Sequence, residues 1–301
     1  MNACVESVCH GPMIPEPLAA RVSAQPWGMP TRGMARGWLG KLWVGLAGAR
    51  EAKVPPVVHV RAESFYAAVD QAENPRLRGK AVLVVGAGSV ASVSPEAQSR
   101  GAAAGMKLRD ARKTCPNAIV IPGDYARYAE YAERVRRILT AYCSQVEMTA
   151  CGSFYLDFRG STLCLIRFEA ALRRMQTEIL GQAGLSVSVG AGRSRRVAAL
   201  AAWEHRPCGL RIVAVGEERE FLKPFPIEKL RGIGQKQVSA LRQGGLTTLG
   251  ELQQIPRPTL VAAFGAAIGE QIWRQARGQE VSEILSYTRP IGEAVGAPAI
   301  A

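Results

Sequence analysis

Residues 57–75 read VVHVRAESFYAAVDQAENP, and this stretch decides the fold. Val57, Val58, His59 and Val60 make a short apolar, β-branched run that reads as a buried strand. Phe65 to Gln71 read as the helix that follows it. Arg61 and Glu63 lie two residues apart, so an extended chain puts both on one face. Their opposite charges at that spacing predict an ion pair.

Outward from this unit, strands and helices alternate. Ala81 to Val85 is a second buried strand, and Pro95 to Ala104 and Leu108 to Lys113 read as short helices. Tyr125 to Ala141 is a long helix with Tyr128, Tyr131, Val135, Ile138 and Leu139 on one stripe. Gln145 to Thr149 and Phe154 to Phe158 read as a strand pair, and Phe168 to Ala183 as an amphipathic helix. Leu185 to Val189 alternates as a half-buried strand. Ser194 to Trp203 is helical and Leu210 to Val215 extended. The order is βαββαβ-like with an insertion after the first strand and helix. It predicts an α/β (α+β) fold built on a ferredoxin-like split βαβ sheet. From Pro224 onward the pattern turns all helical.

The chain has 301 residues, 48% of them hydrophobic, enough for several cores. Its formal net charge of +13 points to a polyanionic partner, nucleic acid first. Seven cysteines without a CxxC pair argue for a reducing compartment and against a disulfide scaffold. No signal-peptide pattern stands at the start, and Gly40, Lys41 and Gly45 interrupt the apolar Trp38–Leu46 run. The expectation is a soluble, cytoplasmic protein with no membrane partner. Residues 1–54, rich in Gly, Pro, Met and Arg, are expected to be a disordered extension.

Several ordered patches carry a resemblance. They are residues 57–75, Leu77-Arg78-Gly79-Lys80, Ala104-Gly105-Met106, Cys115-Pro116-Asn117, Val146-Glu147, Tyr155-Leu156-Asp157, Ser188-Val189-Gly190 and Pro207-Cys208-Gly209. In order and spacing the set is similar to the Y-family (translesion) DNA polymerases, over roughly residues 56–290. The resemblance implies a palm (55–66 and 140–222), an inserted fingers subdomain (67–139) and a helical thumb (223–286). It also implies a linker at 287–301 that would open a fourth domain, the little finger, missing from this chain.

Nucleotidyl transfer in such a family uses two Mg²⁺ ions about 4 Å apart, clamped by carboxylates on neighbouring strands. The resemblance puts the first-strand acid at Arg61 and the hairpin acids at Gly152 and Ser153. Only Glu63 keeps an acidic side chain, so no catalytic residue, no metal site and no cofactor are expected. The triphosphate grip falls on Pro95, Gln98 and Ala199, all unsuited to it. Phe65 and Tyr66 stand where the family keeps its sugar-sensing aromatics, and plain core packing explains them too. Arg61 and Glu63 would then pair inside the emptied metal site.

Leu230-Arg231-Gly232-Ile233-Gly234-Gln235-Lys236 resembles a helix-hairpin-helix of the thumb. Its glycines let backbone amides approach a phosphate without reading bases. Gly232, Ile233, Gly234 and Lys236, with Arg193, Arg195 and Arg196 in the palm, are therefore the expected DNA contacts. Arg109, Arg112 and Lys113, and Arg134, Arg136 and Arg137, extend this basic track. The family contains accessory members that lack the catalytic acids and act as scaffolds, and this chain is similar to them in that respect. Three readings result: a DNA-binding scaffold, working alongside other translesion or replication proteins; a polymerase using Glu63 and Asp157 for metal; or a decayed remnant.

Overall fold

The structure, a computed structural model, describes residues 54–280 and residue 284. The expected extension over 1–54, its last residue apart, and the linker from 287 lie outside the described residues.

Strand β1 (Val57–Ala62) is the centre of a five-stranded sheet. On one side it pairs antiparallel with β6 (Ser153–Asp157), itself paired with β5 (Val146–Ala150). On the other it pairs antiparallel with β7 (Val187–Gly192), which runs parallel to β8 (Leu210–Ile212). The order β5-β6-β1-β7-β8 is the expected split sheet.

Alternation along β1 divides its side chains between two layers. Val58 and Val60 face the main core with Phe154, Leu156 and Val189. Helices α4 (Tyr125–Thr140) and α5 (Leu165–Ala183) cover that face. The predicted stripe on α4 is buried throughout: Tyr128, Tyr131, Val135, Ile138 and Leu139. On the opposite face α6 (Arg195–Glu204) lies against β7. It comes so close that a Cβ at Gly190 would stand 2.1 Å from the Ala198 carbonyl oxygen. Glycine here is a requirement of helix–sheet contact.

The insertion begins after α1 (Phe65–Glu73). Its second sheet has the order β3-β2-β4, made of β2 (Val82–Gly86), β3 (Ser89–Val93) and β4 (Ile119–Pro122). Only β2 was predicted. β3 and β4 are short and carry no clear alternation, so their pairing with β2 decides their state. The helix predicted over Pro95 to Ala104 is in fact one turn, α2 (Pro95–Gln98). Gly101 at φ +91° and Gly105 at φ +87° turn the chain away after it. Helix α3 (Leu108–Thr114) agrees with expectation.

The C-terminal helices are α7 (Glu218–Leu222), α8 (Gln235–Gln243), α9 (Leu249–Leu252), α10 (Arg257–Phe264) and α11 (Ala266–Ala276). They share a core of Leu222, Phe225, Leu241, Leu249, Leu252, Leu260 and Ile272. Val197 and Leu200 of α6 belong to the same core, so the helical unit is docked on the sheet. Among the described residues no helix is long and apolar enough to cross a membrane.

Candidate active-site remnant and nucleic-acid interface

The edge of the sheet where β1 ends is cationic. Arg61 Nε lies 3.4 Å from Glu63 Oε1, the ion pair predicted from their spacing. Arg206 Nη1 approaches the other oxygen at 3.6 Å. Glu63 is thus shared between two guanidinium groups. Arg61 is paired in register with Ser153, whose hydroxyl meets His59 Nε2 at 3.0 Å.

His59 sits on the same face two residues before Arg61. Its ring lies 4.4 Å from the Tyr155 ring, and Arg195 lies 4.4 Å over that same tyrosine. Burial, then the charges of Arg61, Arg231 and Arg195, push the imidazole down to about 3, so it is neutral at ordinary pH. Arg195 holds Glu147 through two hydrogen bonds of 2.9 and 2.7 Å. Sequence reading missed this layer. The alternation of β1, which puts His59 beside Arg61, was the signal that could have found it.

The hairpin joining β5 to β6 turns at Gly152, φ +80°. A Cβ there would lie 2.6 Å from Phe65 Cδ2. Phe65 is 6% exposed and belongs to the main core, and Tyr66 stacks on Tyr128 at 4.6 Å. Phe65 therefore packs inside the protein, while Tyr66 is half-buried against the core. Pro95 and Gln98 are exposed on the single turn of α2, and Ala199 packs beside Val57 and Tyr155.

One basic residue differs from its expected role. Arg195 and Arg196 open α6, within the predicted helix. Arg196 is withdrawn from solvent, only 6% exposed. It donates to Gln275 Oε1 and to the Lys229 carbonyl, with Glu280 at 3.8 Å. Gln275 in turn accepts from Arg231 N–H at 2.9 Å and donates to Arg231 O at 2.7 Å. Arg196 thus fastens the Gly232–Gly234 loop to the sheet and is no part of a solvent-facing track. Arg193 stays exposed.

The loop it fastens leads into α8. Gly232 takes φ +67°, and the N-terminus of α8 has no side-chain cap. Gly234 and Lys236 are exposed there, while Ile233 is half-buried against the helical core.

The model of the impB/mucB/samB family matches residues 60–203, and that of the DNA polymerase-iota thumb domain matches residues 228–280. DNA polymerase IV of Streptococcus pneumoniae serotype 4 is 31% identical over 237 residues, covering 76% of this chain and 67% of that protein. This chain belongs to the Y-family of DNA polymerases. DNA polymerase IV of Streptococcus pyogenes serotype M28 is 32% identical, over 76% of this chain and 65% of that one. The chain spans about two thirds of the length of these relatives. A crystal structure of DinB from Sulfolobus solfataricus superposes with TM-score 0.68 at 25% identity, covering 77% of this chain and 70% of that one. An insertion ternary complex of Dbh DNA polymerase, at TM-score 0.70 and 24% identity over 77% and 70%, has the same fold.

The family normally uses Mg²⁺, and the donor set can be tested against it. Mg²⁺ wants oxygen ligands about 2.1 Å away, so two carboxylates on one ion stand within about 4 Å of each other. Among the described residues no group of three or more His, Cys, Asp or Glu is placed to hold a metal. Glu63 is engaged by Arg61 and Arg206, and Glu147 by Arg195. Asp157 pairs in register with Val57, at the far end of β1 from Arg61. Four residues of strand separate those positions by about 13 Å. Glu63 and Asp157 cannot share an ion. Asp157 instead binds Arg159 at 2.7 Å. The palm residues present do not fit the metal pair.

Proposed function

We propose that this protein is a non-catalytic Y-family member that binds duplex or primer–template DNA through its phosphate backbone, in DNA repair or damage tolerance. The Arg61–Glu63–Arg206 cluster supports this most directly, because fixed positive charge stands where metal charge would act. Glycine at 152 adds to it. The hairpin has closed over Phe65 and leaves no room for an acid.

DNA contact is assigned to the uncapped start of α8, with Gly232, Gly234 and Lys236, and to exposed Arg193 on the sheet unit. Amide groups and one lysine hold phosphates and read no bases. The binding is sequence-independent and salt-sensitive. The protein would work in the cytoplasm, alongside other translesion or replication proteins.

The test is titration of a fluorescent primer–template duplex with salt, run beside Mg²⁺-dependent primer extension on the same sample. Binding that falls steeply with salt, without extension, is expected. Extension above background that disappears in Glu63→Gln would overturn the non-catalytic reading. Absence of binding at low salt would remove the DNA-binding one.

A further inference from the structure

A groove of about 380 Å³ opens where the β7–α6 loop meets α7 and the end of α11. Arg193, Arg219, Arg277 and Trp273 line it, with Glu218 and Gly278. None of the β1 cluster residues Arg61, Glu63 and Arg206, and none of Gly232, Gly234 and Lys236, is in its lining.

Its construction gathers like charge. Gly278, at φ +67°, lets the chain lie directly on α7, where an added Cβ would stand 2.8 Å from Glu218 Cβ. That close approach brings Arg277 next to Arg219. Both guanidinium groups converge on one carbonyl, that of Gln253, with Arg277 Nη2 at 2.5 Å and Arg219 Nη2 at 3.3 Å. Arg277 also lies 4.4 Å over the Trp273 ring. Burial and then Arg219 push the Arg277 guanidinium below its ordinary range, as two adjacent cations would.

Among the described residues no ion pair neutralises this charge. Among the described residues no carboxylate comes within ion-pair distance of Arg193, Arg219 or Arg277. Glu218, the one acid in the lining, is 5% exposed and accepts from Gly216 N–H at 2.9 Å. Its other oxygen is buried in the protein. The open wall of the groove is cationic. Arg219 keeps one terminal nitrogen and Arg277 its Nε outside the bonds to the Gln253, Ile255 and Trp273 carbonyls.

We propose that this groove is a binding site for a phosphate group, held by Arg193, Arg219 and Arg277 against the Trp273 wall. One free donor nitrogen from each of Arg219 and Arg277, with the exposed guanidinium of Arg193, can reach different oxygens of a phosphate, and a dianion relieves the repulsion between the arginines. The same chemistry could come from a DNA backbone, a mononucleotide or free phosphate, and the experiment separates them.

Isothermal titration of the full chain with inorganic phosphate, dAMP and a short single-stranded oligonucleotide is run at constant ionic strength set with chloride. Arg193→Gln is the principal variant, because Arg193 is exposed and its loss disturbs no bond within the fold. Arg219→Gln is the second. At least one of the three ligands is expected to bind, with each variant weakening it tenfold or more and Arg193→Glu abolishing it. The tightest ligand names the source. Arg167→Gln, which removes an equal charge from an exposed position of α5, is the control expected to leave phosphate binding unchanged. Phosphate binding that persists while duplex DNA fails to bind would mark a failure of the thumb assignment alone. No heat with any ligand, or binding equal in wild type and Arg193→Glu, overturns the site.

Discussion

The ring of Phe65 fills the space that a side chain at residue 152 would need, with Cδ2, Cγ and Cβ at 2.6, 2.8 and 2.9 Å from the position of a Cβ. The φ of +80° at Gly152 is a further obstacle. Restoring an acid at this hairpin therefore costs stability before it can yield chemistry. Gly152→Asp is expected to destabilise the protein by roughly 2–5 kcal/mol, from left-handed strain and overpacking together. Urea denaturation measures it, and a midpoint unchanged from wild type would contradict the packing argument. The triple change Arg61→Asp, Gly152→Asp, Ser153→Glu is expected to give no primer extension, since Pro95, Gln98 and Ala199 still lack a triphosphate grip.

The Arg61–Glu63 pair, by contrast, is half exposed, 44% and 25% for the two side chains. Solvent screens such a pair. Glu63→Gln is expected to change stability by less than about 1 kcal/mol. Its value as evidence lies in its position. A larger loss in the same denaturation assay would mean that Glu63 holds the β1 end together in a way the two arginine contacts do not explain.

His59 supplies a pH dependence. Its folded value is about 3 against an ordinary 6.5, because burial and three arginines disfavour the imidazolium. Below pH 6.5 the unfolded chain takes up a proton that the folded chain refuses. The contribution is complete above about 6.5 and declines as pH falls toward 3. His59→Gln keeps a partner for Ser153 and removes the titration. Stability measured from pH 7 to 4 is expected to fall less steeply in the variant, by up to about 1.4 kcal/mol per pH unit. Parallel curves for the two proteins would assign the acid sensitivity elsewhere.

Much of this was legible in the sequence, for a definite reason. β1, α4 and β7 carry strong apolar patterns, and the spacing of Arg61 and Glu63 is a purely local fact, so one extended strand fixes their meeting. Strands β3 and β4 were not legible because nothing local distinguishes them. They exist because β2 offers both edges. Arg196 was misread for a similar reason. In the run Arg193-Ser194-Arg195-Arg196 the three arginines look alike as charge, yet the turn into α6 sends each in its own direction. Arg193 goes to solvent, Arg195 to Glu147 and Arg196 into the interior. Only the helix start, set by the Ser194 cap on Val197 N–H, sorts them.

Arg196 carries the next prediction. Burial pushes its guanidinium down to about 10, and it holds Gln275, Lys229 O and Glu280 together. Arg196→Met removes one side of a buried charge pair and leaves Glu280 without its partner. The cost is expected to be about 3–5 kcal/mol. Hydrogen exchange should quicken at the Gly232–Gly234 loop and the start of α8, which this arginine fastens through Gln275. Uniform acceleration over the whole chain would point instead to global destabilisation, with no special tie between sheet and thumb.

Lys236 tests the interface itself. It is exposed in the first turn of α8, where an arriving phosphate would meet both its ammonium and the uncapped amides. A lysine that neutralises one phosphate adds about 0.9 to the slope of log affinity against log salt on duplex DNA. Lys236→Ala should therefore lower affinity for every duplex alike and flatten that slope by about one. Gly232→Ala acts through geometry, because its φ of +67° is strained for any other residue and an added Cβ would stand 2.9 Å from Gln271 Nε2. It should weaken binding without changing the slope, since it removes no charge. An unchanged slope in Lys236→Ala, together with unaltered affinity in Gly232→Ala, would move the DNA contact away from this loop.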